Sequence, residues 1–144
     1  MNKNKGFTLL ELIIVMFLIG LMLSLAGALF SNTLPSSRFS ATTREVAATI
    51  RHARALAQLR GENQTVTIDM EAHKYGIDNA TAKDIPSGIS IKVIDPLLGD
   101  VQTGKYRFDF PSIGGIQGGT IVLWNSKKTA SIEIDPIVGS TVVK

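Results

Sequence analysis

The chain has 144 residues, of which 44% are hydrophobic, with a net charge of +3 and no cysteine. It therefore cannot form disulfides or thiolate metal sites, and its length suits one membrane anchor and one globular domain. Residues 1–60 carry seven Lys or Arg against two acids, whereas residues 61–144 carry eight against ten. Because the basic charge lies in the N-terminal part, the composition argues against a nucleic-acid-binding C-terminal domain.

A short basic segment with Lys3 and Lys5 precedes an apolar run that contains one carboxylate, Glu11. The uncharged residues after it, 12–30, span roughly 28 Å as a helix, about one bilayer core. An unpaired carboxylate in this setting costs on the order of a few kcal/mol. A cleaved secretory signal, with its A-x-A site at residues 26–28, should have a shorter apolar run and no acid. A plain signal anchor leaves Glu11 without a role.

A third interpretation comes from the stretch "KGFTLLELIIV". It resembles the class III signal of type IV prepilins and pseudopilins, which has a short basic leader ending in Gly6, then Phe7, then Glu11 as the fifth mature residue. The resemblance implies cleavage between Gly6 and Phe7 by an inner-membrane prepilin peptidase, which also methylates the new Phe7 amine. The apolar segment then stays on the mature protein.

This interpretation assigns Glu11 a role in assembly. Cleavage creates a cationic amine on Phe7 one helical turn before Glu11, so the two groups can pair while the subunit waits in the membrane. In related filaments, Glu11 would pair with the Phe7 amine of a neighbouring subunit. Because a buried charge without a partner is costly, the unpaired site favours the next subunit in register.

Small residues recur at every fourth position of the apolar helix, at Gly20, Ser24 and Ala28. This spacing is typical of closely packed membrane helices, although small residues are also ordinary there. Further along, Pro35 disfavours helix, and Thr42 with Glu45 forms a capping-box pattern. The local signals predict two helices, over about residues 8–33 and 43–60, whereas pilins usually have one long helix. The sequence leaves open whether the helix kinks or breaks near Pro35.

The second helical segment is amphipathic. An apolar stripe should pack on a sheet, and it consists of Val46, Ile50, Ala53 and Ala57. The other side carries Arg44, Arg51 and Arg54. The sequence leaves three roles open for them: a solvated face, a surface that contacts neighbouring subunits or anionic head groups, and a DNA-binding face. His52 is expected at the surface.

From residue 62 the hydrophobic period changes from 3.6 to 2, which predicts about six short antiparallel strands and an α+β fold. Two similar segments, "SIKVIDPLLG" and "SIEIDPIVG", each indicate a strand that runs into an Asp-Pro turn. The stretch "PSIGGIQGGT" lacks the lysine of a P-loop, so we expect a mobile hairpin loop. Neither histidine lies in a metal-spaced cluster, and no catalytic arrangement is recognised, so we expect no enzyme activity, no metal and no cofactor.

These signals divide the chain into four parts. Residues 1–6 form the leader, residues 7–30 the transmembrane and filament-core helix, residues 31–60 a basic amphipathic helix, and residues 61–144 an antiparallel β domain. The resulting expectation is a pilin-like fold, in which a long N-terminal helix packs on the sheet domain.

Beyond the signal, the order of features resembles the H-type minor pseudopilin of type II secretion and the related T-type minor pilin. The matching segments are "IRHARALAQLRGENQTVTIDMEAHKYGI", "IPSGISIKV", "FDFPSIGGIQGGTIVL" and "IEIDPIVGSTVV". T-type pilins that take up DNA tend to have a basic C-terminal region, often with cysteines, and this chain has neither. The alternative of a type IV minor pilin in pilus assembly or DNA uptake stays open.

The H-type resemblance implies a single-pass inner-membrane protein with a cytoplasmic N-terminus and a periplasmic C-terminal domain. After assembly it would lie near the tip of a periplasmic pseudopilus and help to initiate or cap it. Its implied partners are other pseudopilins, the prepilin peptidase and methyltransferase, the inner-membrane assembly platform and a secreted folded protein. Nucleic acid is not expected as a partner.

Overall fold

The structure, a computed structural model, describes residues 6–137 and 140–144, of which residues 27–34 are described by their backbone alone. Most of the predicted leader, residues 1–5, therefore lies outside the described residues, as does the side chain of Ala28. The chain divides into two compact units, Met1–Pro35 and Ser36–Lys144.

One α-helix, α1, runs from Leu9 to Arg60 and includes Pro35. The prediction of two helices with a capped start near residue 43 is therefore wrong. Thr42, the predicted cap, lies in the middle of α1 and is buried. The carboxylate of Glu45, the other member of the predicted capping box, accepts a hydrogen bond from Lys83 at 2.7 Å. A proline inside a helix costs about 3 kcal/mol, and the packing of the following turns against the sheet domain offsets that cost.

The C-terminal end of α1 follows the sequence signal at Gly61. Its backbone N–H donates to the carbonyl of Ala57 at 3.0 Å, and its φ of 69° lies in the left-handed region that favours glycine. This residue ends the helix and turns the chain into the first strand.

Nine strands lie in the described part of the chain and form two antiparallel sheets. They are β1 (Gln64–Asp69), β2 (Lys74–Ile77), β3 (Lys83–Asp84), β4 (Ser90–Asp95), β5 (Gly99–Val101), β6 (Lys105–Phe110), β7 (Gly119–Trp124), β8 (Thr129–Ile134) and β9 (Thr141–Val143). The four-stranded sheet has the order β3-β2-β1-β6, and the five-stranded sheet has the order β5-β4-β7-β8-β9. The α+β fold and the antiparallel pairing are thus confirmed. The sequence missed β3, β5 and β9, because segments of two or three residues carry no readable alternation.

The apolar stripe of α1 packs into the core of the second unit, as predicted. Its members are at most 1% exposed, and they are Val46, Ile50, Ala53 and Ala57. The strands contribute alternate residues to the same core, for example Tyr106, Phe108 and Phe110 of β6. Burial of these alternating faces against the helix holds Ser36–Lys144 together.

The glycine-rich segment at residues 111–118 is not a hairpin loop. It leads from β6 in the four-stranded sheet to β7 in the five-stranded sheet, because β6 pairs with β1 while β7 pairs with β4 and β8. Ile116 donates its backbone N–H to the carbonyl of Pro136 at 3.0 Å, which ties the segment to the turn after β8.

The two similar Asp-Pro segments form turns at the same end of the five-stranded sheet, since β4 and β8 both run antiparallel to β7. Asp95 accepts hydrogen bonds from the backbone N–H groups of Leu97 and Leu98, both at 2.7 Å. Asp135 accepts one from Ile137 at 2.7 Å. Turn chemistry of this kind accounts for the resemblance between the two segments.

Candidate functional site

The predicted processing site lies directly before α1. Gly6, Phe7 and Thr8 have no regular secondary structure, and the Phe7 side chain is 81% exposed. Apart from Gly6 and its two chain neighbours, no heavy atom of the described residues lies within 4 Å of the position that a Cβ on Gly6 would occupy. The Gly6–Phe7 peptide bond is therefore presented in an open, non-helical segment of the kind that a protease can bind.

Thr8 caps the N-terminus of α1. Its hydroxyl accepts a hydrogen bond from the backbone N–H of Glu11 at 3.2 Å, and its carbonyl accepts one from Leu12 at 3.2 Å. Thr8 and Glu11 have the spacing of a capping box, and a carboxylate in the first turn interacts favourably with the helix dipole. This cap was not among the features predicted from the sequence, although the Thr-x-x-Glu pattern before the apolar run signals it.

The carboxylate of Glu11 is exposed and has no side-chain partner in the described part of the chain, where six ion pairs occur. In the uncut chain the nitrogen of Phe7 belongs to a peptide bond and carries no charge. The geometry thus leaves the Glu11 carboxylate available for the amine that cleavage at Gly6 would create.

The first part of α1 has the length and apolar character of a membrane span. Residues Leu9–Ala26 have a mean hydropathy of 2.7, none of them is buried, and they form the one such span among the described residues. Large apolar side chains point outward all around it, with exposures from 46% at Val15 to 81% at Leu9. A helix that is apolar on every side requires lipid or other helices around it.

The predicted small-residue face lies in open space within this span. Apart from Gly20, its chain neighbours and the backbone of its own helical turns, no heavy atom of the described residues lies within 4 Å of a Cβ placed on Gly20. The hydroxyl of Ser24 donates to the carbonyl of Gly20 at 2.9 Å. Because that bond satisfies the hydroxyl within the helix, the face stays small and without an unpaired donor. Its role in helix packing stays a prediction.

The three arginines of the basic face differ in their surroundings. Arg44 is exposed and forms no ion pair among the described residues. Arg51 donates from Nη1 to the hydroxyl of Thr141 in β9 at 3.2 Å. Arg54 is partly buried, and its Nη1 atom is buried without a hydrogen-bond partner. A fully solvated face was one of the expected possibilities, and Arg54 does not fit it.

A groove of about 910 Å³ lies between α1 and the β2–β3 region, and His52 lines it with an exposed side chain. Glu45 crosses the groove to Lys83, and this hydrogen bond is the main cause that lowers the pKa of Glu45. Burial, with a smaller effect from Glu45, raises the pKa of Tyr75 to about 12. Among the described residues no three His, Cys, Asp or Glu side chains cluster in a way that could hold a metal ion.

Comparison with protein families gives one match. A family model described as the prokaryotic N-terminal methylation motif matches residues 1–27. No curated protein and no solved structure matches the chain. The matched segment contains Gly6, Phe7 and Glu11 together with most of the apolar span. It supports a type IV prepilin-like family, whose members are structural subunits, and it is consistent with a membrane-anchored single-pass protein.

Proposed function

We propose that this protein is a minor pseudopilin of a type II secretion system. It would join the periplasmic pseudopilus through its N-terminal helix and help to initiate or cap the filament that exports folded proteins. One observation carries the proposal. Within the matched methylation motif, the open Gly6–Phe7 segment directly precedes a capped apolar helix, and the Glu11 carboxylate in the first turn of that helix is free.

The first step in this function is processing. Prepilin peptidase would cut after Gly6 on the cytoplasmic side of the inner membrane and methylate the amine of Phe7. Since Thr8 already caps the helix, the cut leaves the helical start at Leu9 intact and places the new cation close to the positive end of the helix. A cation is repelled by the positive end of the helix dipole, and the negative charge of the Glu11 carboxylate offsets this repulsion.

The second step is assembly at the inner-membrane platform. In the filament, Glu11 would pair with the methylated amine of Phe7 on a neighbouring pseudopilin. An unpaired carboxylate among apolar helices is costly, so a subunit placed out of register loses this pair and is disfavoured. The apolar surface from Leu9 to Ala26 supplies the remaining contacts to the neighbouring helices. The sheet domain would face outward, towards other subunits and a secreted protein.

The charges of the sheet domain favour a secretion role over DNA uptake. Most of its basic side chains are already in ion pairs, and these are Lys74, Lys83, Lys92, Lys105, Arg107 and Lys144. Binding to duplex DNA requires a track of cations that are available to phosphates. The second candidate, a type IV minor pilin in pilus assembly or DNA uptake, is favoured by one observation, the basic face of α1 with Arg44 and Arg51.

The test is to measure secreted enzyme in the culture medium of a strain that lacks this gene. The strain is complemented with the wild type, with Glu11→Ala, or with Glu62→Ala, a change at an exposed carboxylate just after α1 as the matched control. We expect the wild type and Glu62→Ala to restore secretion and Glu11→Ala to fail. Normal secretion without the gene, together with loss of DNA uptake or of pili, would contradict the secretion role and support the second candidate.

A further inference from the structure

The most exposed apolar side chains of the second unit concentrate on three loops. Among the described residues of Ser36–Lys144, five large apolar side chains are at least 75% exposed, and one of them, Leu59, lies on α1. The other four lie in the turn after β4, in the crossover before β7 and in the turn after β8, and these are Leu97, Leu98, Ile113 and Ile137. Single exposed apolar residues are normal on a protein surface, whereas a contiguous group indicates an interaction site.

The three loops contact one another. Gln117 in the crossover donates from Nε2 to the carboxylate of Asp95 at 2.9 Å, and Ile116 donates its backbone N–H to the carbonyl of Pro136 at 3.0 Å. Gly118 lies so close to Pro136 that a Cβ on it would be 3.0 Å from the proline ring. The crossover is therefore held between the two Asp-Pro turns. We call residues 94–101, 111–118 and 133–137 together the three-loop end.

Hydrogen bonds within the chain fix the backbone of the three-loop end. The carboxylates of Asp95 and Asp135 each accept backbone hydrogen bonds from the turn that follows them. Between the two turns lies a groove of about 440 Å³, whose walls include the partly exposed side chains of Ile94 and Val142. Because the turns are already ordered, they lose little conformational freedom when another surface docks on them.

The charges of the three-loop end select the kind of partner. Its segments contain no Lys or Arg and four acids, which are Asp95, Asp100, Glu133 and Asp135. Two lysines outside these segments, Lys92 and Lys144, form ion pairs with Asp100 and Glu133. Phosphates of DNA and of anionic head groups bind to clusters of Lys and Arg, so neither suits this surface. A second copy of the chain would bring the same acids, and repulsion between like charges disfavours it.

The size of the surface fits a partner that binds and leaves again. Four exposed aliphatic side chains form an apolar area on the order of a few hundred Å². Transient complexes bury less than about 1,200 Å² in total, whereas permanent subunit interfaces bury about 2,000 Å² or more. A neighbouring subunit stays in the filament, but an exported protein must be released after transport.

We propose that the three-loop end binds the folded protein that the filament exports, at an apolar patch of that protein surrounded by Lys or Arg side chains. This inference rests on the proposed function, which supplies the exported protein as the partner. The four exposed aliphatic side chains cover the apolar patch. The acids around them attract the surrounding cations and repel proteins whose apolar patch is surrounded by acids.

Photo-crosslinking in intact cells that express the full chain tests which molecule covers the three-loop end. A benzophenone amino acid replaces Leu98, or it replaces Leu59 as the matched control, because Leu59 is an equally apolar and 83% exposed residue outside the three loops. At position 98 we expect a crosslink to a protein that the strain secretes only when it carries this gene. Position 59 should give at least tenfold less of that product. Crosslinks at position 98 to a filament subunit alone, to lipid alone or to no molecule would overturn the proposal.

A change of charge tests the expected cations of the partner. Leu98→Lys combined with Ile113→Lys should lower the secreted amount about tenfold, and Leu98→Asp combined with Ile113→Asp should lower it less, because only the lysines repel those cations. Leu59→Lys should secrete at the wild-type level. Since all three positions are exposed, processing and melting temperature should match the wild type. Normal secretion by the lysine variant, or a larger loss in the aspartate variant, would contradict the proposal.

Glu11→Ala separates this inference from the proposed function. If Glu11→Ala blocks secretion while the lysine variant secretes normally, the binding site at the three-loop end fails and the pseudopilin role stands. If the strain that lacks the gene secretes normally, the pseudopilin role itself fails.

Discussion

The hydroxyl of Thr8 accepts a hydrogen bond from the backbone N–H of Glu11 at 3.2 Å, which puts Glu11 in the third position of the first helical turn. The Glu11 carboxylate therefore has two roles. It favours the start of the helix through the helix dipole, and in our proposal it also pairs with an amine of a neighbouring subunit. Changes at Thr8 and at Glu11 separate the two roles, because only Glu11 carries the charge.

Replacing Thr8 by Val removes the cap and keeps the size of the side chain. A lost cap costs a helix about 1 kcal/mol, so we expect the amide of Glu11 to exchange with solvent roughly fivefold faster in the full chain in detergent micelles. Thr8→Ser keeps the hydroxyl and should exchange like the wild type. Equal exchange rates in all three chains, measured by NMR, would show that Thr8 is not the cap in solution.

We expect the mature chain to begin at an N-methylated Phe7, because the Gly6–Phe7 bond lies within the matched methylation motif and in an exposed segment before the helix. Mass spectrometry of the N-terminal peptide from purified membranes measures this directly. Gly6→Val should leave the chain uncut, since the leader of the class III signal that this segment resembles ends in glycine, and Glu11→Gln should be cut normally. A mature N-terminus after residue 28 would instead indicate an ordinary secretory signal.

Asp95 should make stability depend on pH. The hydrogen bond from the hydroxyl of Tyr106, with further bonds from the backbone N–H groups of Leu98 and Leu97, holds the pKa of Asp95 below its usual value of 3.8. A lowered pKa in the folded state stabilises the protein above the pKa of the unfolded chain, and this contribution is lost as the pH falls.

We therefore expect the melting temperature of the wild type to fall more steeply than that of Asp95→Asn between about pH 5 and about pH 3. The Asn variant should melt roughly 5 °C or more below the wild type at pH 7, because it lacks the charge that Tyr106 and Gln117 bind. Thermal unfolding at a series of pH values measures both effects. Parallel curves for the two proteins would contradict this role of Asp95.

Truncating Ile50 should lower the stability of the protein strongly, since this side chain of the apolar stripe is only 1% exposed within the core. Ile50→Ala is expected to lower the free energy of unfolding by about 2–5 kcal/mol, from lost burial and the cavity left behind. Leu59→Ala is the matched control, because Leu59 is 83% exposed on the same helix, and its cost should stay within about 0.5 kcal/mol. Denaturant unfolding of the full chain measures both changes, and similar losses would mean that the stripe does not pack as described.

The sequence alone determined the features that depend on local pattern. The match of the motif to residues 1–27, the apolar span after Glu11 and the buried stripe from Val46 to Ala57 are all readable from residue type and spacing. The long strands were readable for the same reason, because alternation over six residues, as in "KYRFDF", leaves one face apolar. The stop at Gly61 follows from its own backbone freedom.

The tertiary structure decided what depends on partners distant in sequence. Helix continues through Pro35 and Thr42 although both local signals favoured an interruption, because the following turns pack on the sheet domain. Strand pairing divided the β region into two sheets and turned the glycine-rich segment into a crossover. Burial of Nη1 also distinguished Arg54 from Arg44, which carries the same charge. Such outcomes follow from long-range packing, for which a local pattern carries no signal.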